Sequence, residues 1–424
     1  MQKDYSDMKE RIEYQLKKYN NVQGIMQYIN IETLKEQHNK QKGNKATGID
    51  KITKEQYAEH LEENLEQTIN KMKQHKYKPK AVRRVLIPKP NGKMRPLGIP
   101  SYEDKLIQAQ MADILNIIFE RYFKDFSYGF RPNRDCHQAI RALDKIIMHG
   151  KVNHIVEADI KGFFDHVNHE ILIKMLEVVI DDRDFVELVR KFLKAGYVYN
   201  EELVQTNEGT PQGGIISPIL ANLYLHVVLD NWFDNEIRKL CKGEVYIIRY
   251  ADDFVCLFQN ESDAKMFYEM LPKRFAQFDL EVEPTKTKIF PFGRYAKEQY
   301  SFDFLGFKIS NGISRNGYYM VNYKTSEKKS KQEYLKLTEF IKVNRTTKPK
   351  DLIKAINRKL TGIFNYYGIT GNYKWMIKFW YDVKQLIRKW LSRRSQKGKL
   401  SWDKFNKIIE NNSIVMPKIT LKLW

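Results

Sequence analysis

Two apolar, β-rich runs, residues 245–250 and 254–259, are separated only by Ala251-Asp252-Asp253. Runs of this length and composition read as strands, and so short a break between them is a hairpin with two carboxylates at its tip. A third apolar run, residues 154–159, ends in Asp159. If its strand neighbours the hairpin in one sheet, the three carboxylates assemble into one site. Two Mg²⁺ ions about 4 Å apart need little more, because Mg²⁺ takes oxygen ligands and keeps some of its waters. Such a pair stabilises both the attacking and the leaving oxygen when a 3′-hydroxyl attacks a nucleoside triphosphate. Each signal is weak alone, since an Asp-Asp turn is ordinary and a carboxylate at a strand end is usually solvated.

The surrounding chain places the hairpin in a larger frame. At 424 residues it exceeds the size at which one core keeps growing, so two or three compact units are expected. Residues 52–78 read as helix. Residues 82–87 read as extended, followed by the turn Pro88-Lys89-Pro90-Asn91-Gly92 and a second extended piece to Ile99, which together make a basic hairpin. An amphipathic helix is expected over 104–123, a loop carrying Arg131 over 128–133, and helices over 169–179 and 185–195. From residue 321 onward there are 25 Lys and Arg against 7 Asp and Glu, a net of +18, so the rest of the chain carries only +3 of the total +21. That tail reads as helices over 328–343, 350–367 and 373–392, with Gly368 and Gly371 between the last two. Strands and helices in mixed order, closing on a helical unit, define an α+β chain. The expected division is 1–150, 151–315 with a helical segment at 168–208, and 316–424.

An excess of 73 Lys and Arg over 52 Asp and Glu favours a polyanionic partner, with nucleic acid ahead of an anionic membrane. No uncharged apolar run approaches the roughly 18 residues of a membrane span, and the first ten residues are charged rather than signal-like, so a cytoplasmic protein without a membrane partner is expected. Cys136, Cys241 and Cys256 lie far apart with no Cys-x-x-Cys spacing. They read as three small buried hydrophobes rather than as a disulfide framework or a thiolate zinc site.

Several ordered segments carry a family resemblance. Tyr250-Ala251-Asp252-Asp253 resembles the signature tetrad of reverse transcriptases. Asp159-Ile160-Lys161-Gly162-Phe163-Phe164-Asp165 is similar to the strand and loop that supply their other metal-binding aspartate, and Gly209-Thr210-Pro211-Gln212-Gly213-Gly214 with Ile215-Ile216-Ser217-Pro218 lies between the two. More narrowly, Lys45-Ala46-Thr47-Gly48-Ile49-Asp50, Arg95-Pro96-Leu97-Gly98-Ile99-Pro100, Tyr128-Gly129-Phe130-Arg131-Pro132 and the FDFLGF run at 302–307 resemble group II intron-encoded reverse transcriptases, or maturases. LTGIFNYYG at 360–368 and Arg393-Arg394-Ser395-Gln396 resemble that family's thumb, or maturase, region. The order holds from about Asn44 to the end.

The resemblance implies a right hand of fingers, palm and thumb that copies RNA into DNA with two Mg²⁺ ions, for which Mn²⁺ substitutes. It implies Asp159, Asp252 and Asp253, with the backbone of Ile160, as the metal site. Lys89, Arg95, Lys161, Gly162, Phe163, Phe164, Gln212 and Lys286, again with Ile160, would hold the nucleotide. Phe164 matches the ring that crowds the ribose 2′ side, where core packing is the alternative and Phe163 the other candidate. Lys89, Arg95 and Lys286 read otherwise as solvated cations. Phe304-Leu305-Gly306-Phe307 resembles the primer grip, where a buried strand is the plainer account. For Arg131, a buried ion pair and a template contact fit equally. Lys397, Lys399, Lys404 and Lys407 are expected to dock RNA. Implied partners are an RNA template, a DNA or RNA primer, deoxynucleoside triphosphates and group II intron RNA, with no oligomeric state legible. No zinc nuclease extension is expected. A mainly RNA-binding splicing cofactor, or a domesticated relative in defence or CRISPR adaptation, remains an alternative at this level.

Overall fold

The structure is a computed structural model and describes residues 2–88, 94–206, 208–210, 213–296, 300–394 and 400–423, with side chains from residue 6. Lys89, Gln212, Ser395, Gln396, Lys397 and Lys399 lie outside the described residues. The chain divides into two compact units, each made of three stretches: Met1–Asp135, Val156–Cys256 and Asn260–Ile289 in the first, Cys136–Ile155, Leu257–Gln259 and Phe290–Trp424 in the second. Among the described residues the strands are β1 (Val82–Pro88), β2 (Met94–Ile99), β3 (His154–Ala158), β4 (Tyr197–Tyr199), β5 (Glu202–Val204), β6 (Val245–Tyr250), β7 (Asp253–Phe258), β8 (Lys288–Pro291), β9 (Ser301–Phe304), β10 (Phe307–Ile313) and β11 (Tyr319–Thr325). The mixed helix and sheet composition agrees with an α+β chain.

In the first unit the helix Tyr102–Phe119 is the central element. Ser101 caps it by accepting from the Asp104 N–H, and residues on all its sides are buried, as the core helix of a sizeable unit must be. The helix expected over 52–78 is two helices, Lys54–Ala58 and Leu61–Lys73. His60, at φ −128° and ψ 41°, leaves helical geometry and interrupts the hydrogen-bond ladder. Tyr57 is buried on the first of these helices and Leu65 on the second. The basic hairpin forms as read: β1 and β2 pair antiparallel from Arg83↔Ile99 to Pro88↔Met94. β4 joins β1 in parallel and β5 completes the sheet, in the order β2-β1-β4-β5. A further four-stranded sheet, whose strands β3, β7 and β8 run past the bounds of this unit, has the order β6-β7-β3-β8. After Ser217–Leu225 the chain continues through wide π-type turns at His226–Asp230 and Phe233–Ile237.

In the second unit β9, β10 and β11 form an antiparallel meander in which Ile309 pairs with Phe302 on one side and Tyr323 on the other. Helices Glu327–Val343, Pro349–Tyr367 and Tyr373–Ser392 fall within one residue of the ranges read from apolar spacing. Asn372, buried between the last two, ties them to the meander. Its carboxamide accepts from the Thr325 N–H at 2.9 Å and donates to the Thr325 hydroxyl at 2.9 Å and the Tyr367 carbonyl at 2.8 Å. Cys256 is buried, but Cys136 and Cys241 are only half-buried, which corrects the expectation of three buried thiols. Both stand at helix ends, where packing is incomplete. Among the described residues no helix is long and apolar enough to cross a membrane.

Asn372→Ala strips the buried Thr325 N–H of its partner, which costs about 1–3 kcal/mol, while the Tyr367 carbonyl keeps the Ile369 N–H at 2.9 Å. Urea unfolding followed by fluorescence of nearby Trp375 should show a midpoint lowered accordingly, whereas Thr325→Val, losing only a hydroxyl, should move it less.

Candidate active site

β7 and β3 are neighbours in the sheet, and Asp159 follows directly on β3 while Asp252 and Asp253 stand at the turn between β6 and β7. The stretch after β3 is pinned to residues 281–283. The Glu283 N–H donates to the Asp159 carbonyl at 2.8 Å, the Lys161 N–H to the Glu281 carbonyl at 2.9 Å, and Ile160 forms an antiparallel bridge with Val282. Asp159 is half-buried, Asp253 exposed, and Asp252 half-buried with its carboxyl pushed above the ordinary carboxylate range. Burial is the largest cause. The charge of Asp159 adds to it, while the backbone and the guanidiniums of Arg95 and Arg249 oppose it. The exposed Lys286 ammonium pairs with Asp159 Oδ2 and also feels the charge of Asp252. All the donors are carboxylate oxygens, the set a hard divalent ion prefers. Among the described residues, however, no three His, Cys, Asp or Glu side chains converge into a preformed metal cage.

The hairpin tip is held by groups that motif reading missed. Arg249, the last but one residue of β6, is wholly buried, as is Asp230 on the first wide turn. The Arg249 guanidinium donates to both Asp230 oxygens, to Asn222 Oδ1 at 3.0 Å and to the Ala251 carbonyl at 3.0 Å. Burial alone would raise the Asp230 carboxyl, but Arg249 and His226 outweigh it and hold the group below the ordinary range. On the other side, the Arg249 N–H donates to the Phe126 carbonyl at 2.9 Å and the Tyr128 N–H returns to the Arg249 carbonyl at 2.8 Å. Asn222 closes the cluster by donating to the Gly129 carbonyl at 2.6 Å. A Cβ on Gly129 would stand 2.3 Å from the Ala251 nitrogen, so only glycine permits this approach. Ala251 itself lies in the left-handed region at φ 58°, a conformation that persists only where its surroundings enforce it. The available signal was a lone arginine inside an apolar strand, since a buried charge must be paired.

The remaining expected residues divide into two sets. Phe163 is buried, edge-to-face with Phe164 and 6.5 Å from Tyr224, so core packing is its role. Phe164 is half-buried and lines a cavity of about 650 Å³ with Arg84, Gly98, Tyr197, Gly209 and Thr210. Exposed Arg95 pairs with Ile87 across the basic hairpin and lies within electrostatic reach of Asp252. The ammonium of Lys161 is turned to Glu281 at 2.9 Å, and Gly162 is exposed beside it. Arg131 is a buried structural group: it grips Glu120 with two nitrogens and donates to the carbonyls of Lys124 and Ser127. Within the second unit, Phe304 and Phe307 are buried and the Leu305-Gly306 turn between them is half-open. Phe307 stacks on Tyr366, whose hydroxyl donates to the Leu305 carbonyl at 2.9 Å. Lys404 and Lys407 are exposed on the helix Trp402–Asn411.

Comparison with known proteins assigns this arrangement to a family. The reverse transcriptase (RNA-dependent DNA polymerase) family matches residues 87–309, and the group II intron maturase-specific domain matches residues 331–407. The chain belongs to the reverse transcriptase family and is an RNA-directed DNA polymerase of the group II intron reverse transcriptase and maturase class. It is 31% identical to the group II intron-encoded protein LtrA of Lactococcus lactis subsp. cremoris over 80% of this chain and 69% of LtrA. It is also 34% identical to protein YkfC of Escherichia coli (strain K12) over 52% of this chain and 65% of that one. A putative COX1/OXI3 intron 1 protein of Saccharomyces cerevisiae is 40% identical over 42% of this chain and 21% of its own length.

Gly129→Ala should displace the hairpin, because the new methyl meets backbone rather than a yielding side chain. We expect single-nucleotide primer extension to slow by more than about tenfold, since small misplacements of reacting groups cost rates of that order. RNA affinity, measured in parallel, should change little.

Proposed function

We propose that the chain copies an RNA template into DNA by nucleotidyl transfer supported by two Mg²⁺ ions, or Mn²⁺ in their place, held at Asp159, Asp252 and Asp253 with the Ile160 backbone. The observation that carries this reading is the electrostatic coupling of Asp252 to Asp159, two carboxylates brought together by neighbouring strands. When bound, the ions would stabilise charge on the attacking and leaving oxygens. On this reading residues 1–150 serve as fingers, 151–315 as palm and 316–424 as thumb.

The chain's own groups do the rest. Arg95, and Lys89 of the same basic hairpin, would offset triphosphate charge in the manner of other phosphoryl-transfer sites. Lys286, now paired with Asp159, would exchange that carboxylate for the phosphates as the nucleotide arrives. Ile160, Lys161 and Gly162, with Gln212, would position the nucleotide by backbone and side-chain hydrogen bonds. Phe164 would exclude a 2′-hydroxyl sterically, since Phe164 lines the cavity while Phe163 is buried. The Leu305-Gly306 turn would support the primer strand, a DNA or RNA 3′ end, and deoxynucleoside triphosphates would be the substrates. Group II intron RNA is the second proposed partner, bound through the cationic tail that includes Lys397, Lys399, Lys404 and Lys407.

Asp159→Ala and Asp252→Ala should each abolish Mg²⁺-dependent cDNA synthesis while leaving RNA affinity close to wild type, because affinity rests on dispersed phosphate contacts and the metal site acts on the transition state. Primer extension on an RNA template checks this, and near-normal extension by either variant removes the assignment. Neutralising Lys397, Lys399, Lys404 and Lys407 together should weaken intron-RNA binding and flatten its salt dependence, as each lost phosphate contact removes counterion release. Extension on a short primer–template should suffer less, and affinity measured against salt concentration alongside extension separates the two roles.

A further inference from the structure

His169 has no part in any of the chemistry above, yet it is 1% exposed and makes one specific bond. Its Nε2 stands 2.6 Å from the Gly209 carbonyl oxygen. A carbonyl only accepts, so Nε2 carries the hydrogen. Nδ1 is buried with no partner among the described residues, and burial lowers the affinity of the ring for a second proton. The ring is therefore a neutral, single-donor peg, fixed at the start of the helix His169–Glu177, which Asn168 caps through the Ile171 N–H at 3.0 Å.

The peg holds two chain segments in register. The Gly209 N–H donates to the Val167 carbonyl at 2.8 Å, and the Thr210 N–H to the Phe164 carbonyl at 2.7 Å. Asn168 and Glu208 form an isolated antiparallel bridge beside them. Gly209 has φ +87°, and a Cβ there would lie 2.9 Å from the Asp165 carbonyl and 3.0 Å from that of Phe164, so the segments touch backbone to backbone. The Phe164 backbone is thus tied to the strip that His169 anchors, and Phe164 lines the same cavity as Gly209 and Thr210 of that strip.

We propose that His169 is a positioning residue for sugar selection: its bond to the Gly209 carbonyl fixes the Phe164 backbone and so sets how strongly the enzyme rejects ribonucleotides. The inference rests on the reading of Phe164 as the sugar gate. A merely structural histidine would cost both substrates alike, whereas a positioning one changes their ratio.

The test is single-nucleotide incorporation by the full-length protein, with a DNA primer on an RNA template, comparing kcat/KM for dGTP and GTP opposite the same template base. His169→Leu removes the donor. His169→Gln keeps an amide N–H of similar reach, and Gly209→Ala presses the two segments apart with His169 intact. We expect His169→Leu to lower the deoxy-over-ribo ratio by about tenfold or more, chiefly through better use of GTP, as exclusion relaxes before chemistry is damaged. Gly209→Ala should move the ratio in the same direction, and His169→Gln should recover most of it. A proportional loss with both nucleotides in His169→Leu, or a ratio that His169→Gln fails to recover, overturns the inference. Should His169→Leu fail to fold, an unchanged ratio in Gly209→Ala overturns it instead. Phe164→Val separates the two levels. If it leaves the ratio unchanged, the gate reading fails, and if it shifts the ratio while neither His169→Leu nor Gly209→Ala does, only the role of His169 falls.

Discussion

A fully buried ion pair, Asp230 with Arg249, is the constraint on which the hairpin bearing Asp252 and Asp253 depends. Such a pair adds little net stability, because desolvating two charges costs about as much as their attraction returns. Its value is conformational. Breaking either side would leave an uncompensated buried charge, a loss of about 3–5 kcal/mol, so alternative arrangements of the hairpin are strongly disfavoured. The guanidinium also accounts for the strained Ala251: with Asp230 fixed, a remaining nitrogen reaches the Ala251 carbonyl, and Gly129 leaves room for the Ala251 nitrogen where a Cβ would not. The wide turn at His226–Asp230 coincides with the residue that completes this grip. π-type turns inside helices often mark functional positions, and here the turn carries the aspartate that orients the hairpin.

Around that hairpin the charges are open to solvent rather than sealed in. The charge of Asp159 adds to the burial that disfavours ionisation of Asp252, and besides the buried Arg249 the nearby cations, Lys286 and Arg95, are on exposed side chains that can leave. A structural salt-bridge network would have buried its cations with its anions, as Asp230 and Arg249 do a few residues away. The contrast between a closed pair and an open one separates scaffold from the proposed reaction centre. Arg131 belongs with the scaffold, since its donors are consumed by Glu120 and two carbonyls.

Periodicity made much of this legible. Strands β6 and β7, the basic hairpin and the three long helices of the tail all show in apolar spacing, because each buries one face over enough residues to leave a pattern. The break at His60 does not show, since Lys54–Ala58 and Leu61–Lys73 each have acceptable helical spacing and only the backbone conformation of His60 separates them. Among the candidate site residues, the aspartates were readable because two of them interrupt apolar strands with charge. His169 was not. Its partner is a backbone carbonyl 40 residues away, and no side-chain pattern encodes a bond to a carbonyl. Phe163 and Phe164 could not be ranked from sequence either, as adjacent rings of equal size differ only in which one the surrounding chain covers.

The cationic tail poses a different problem, because a helical unit of this composition would expose its charges whatever it bound. Packing narrows the question. Pro349–Tyr367 buries Leu352, Ile353, Ile356, Leu360, Ile363 and Phe364, so its cations are the complement of a core face. Trp402–Asn411 buries only Phe405, and Arg388 lies over the Trp402 ring at 4.0 Å. A helix contributing so little apolar surface is a weak source of stability, and Lys404 and Lys407 on it are not a by-product of core formation. Charge that packing does not require is the charge to assign to a polyanion, which is why the RNA-docking reading falls on the end of the tail rather than on its long helices.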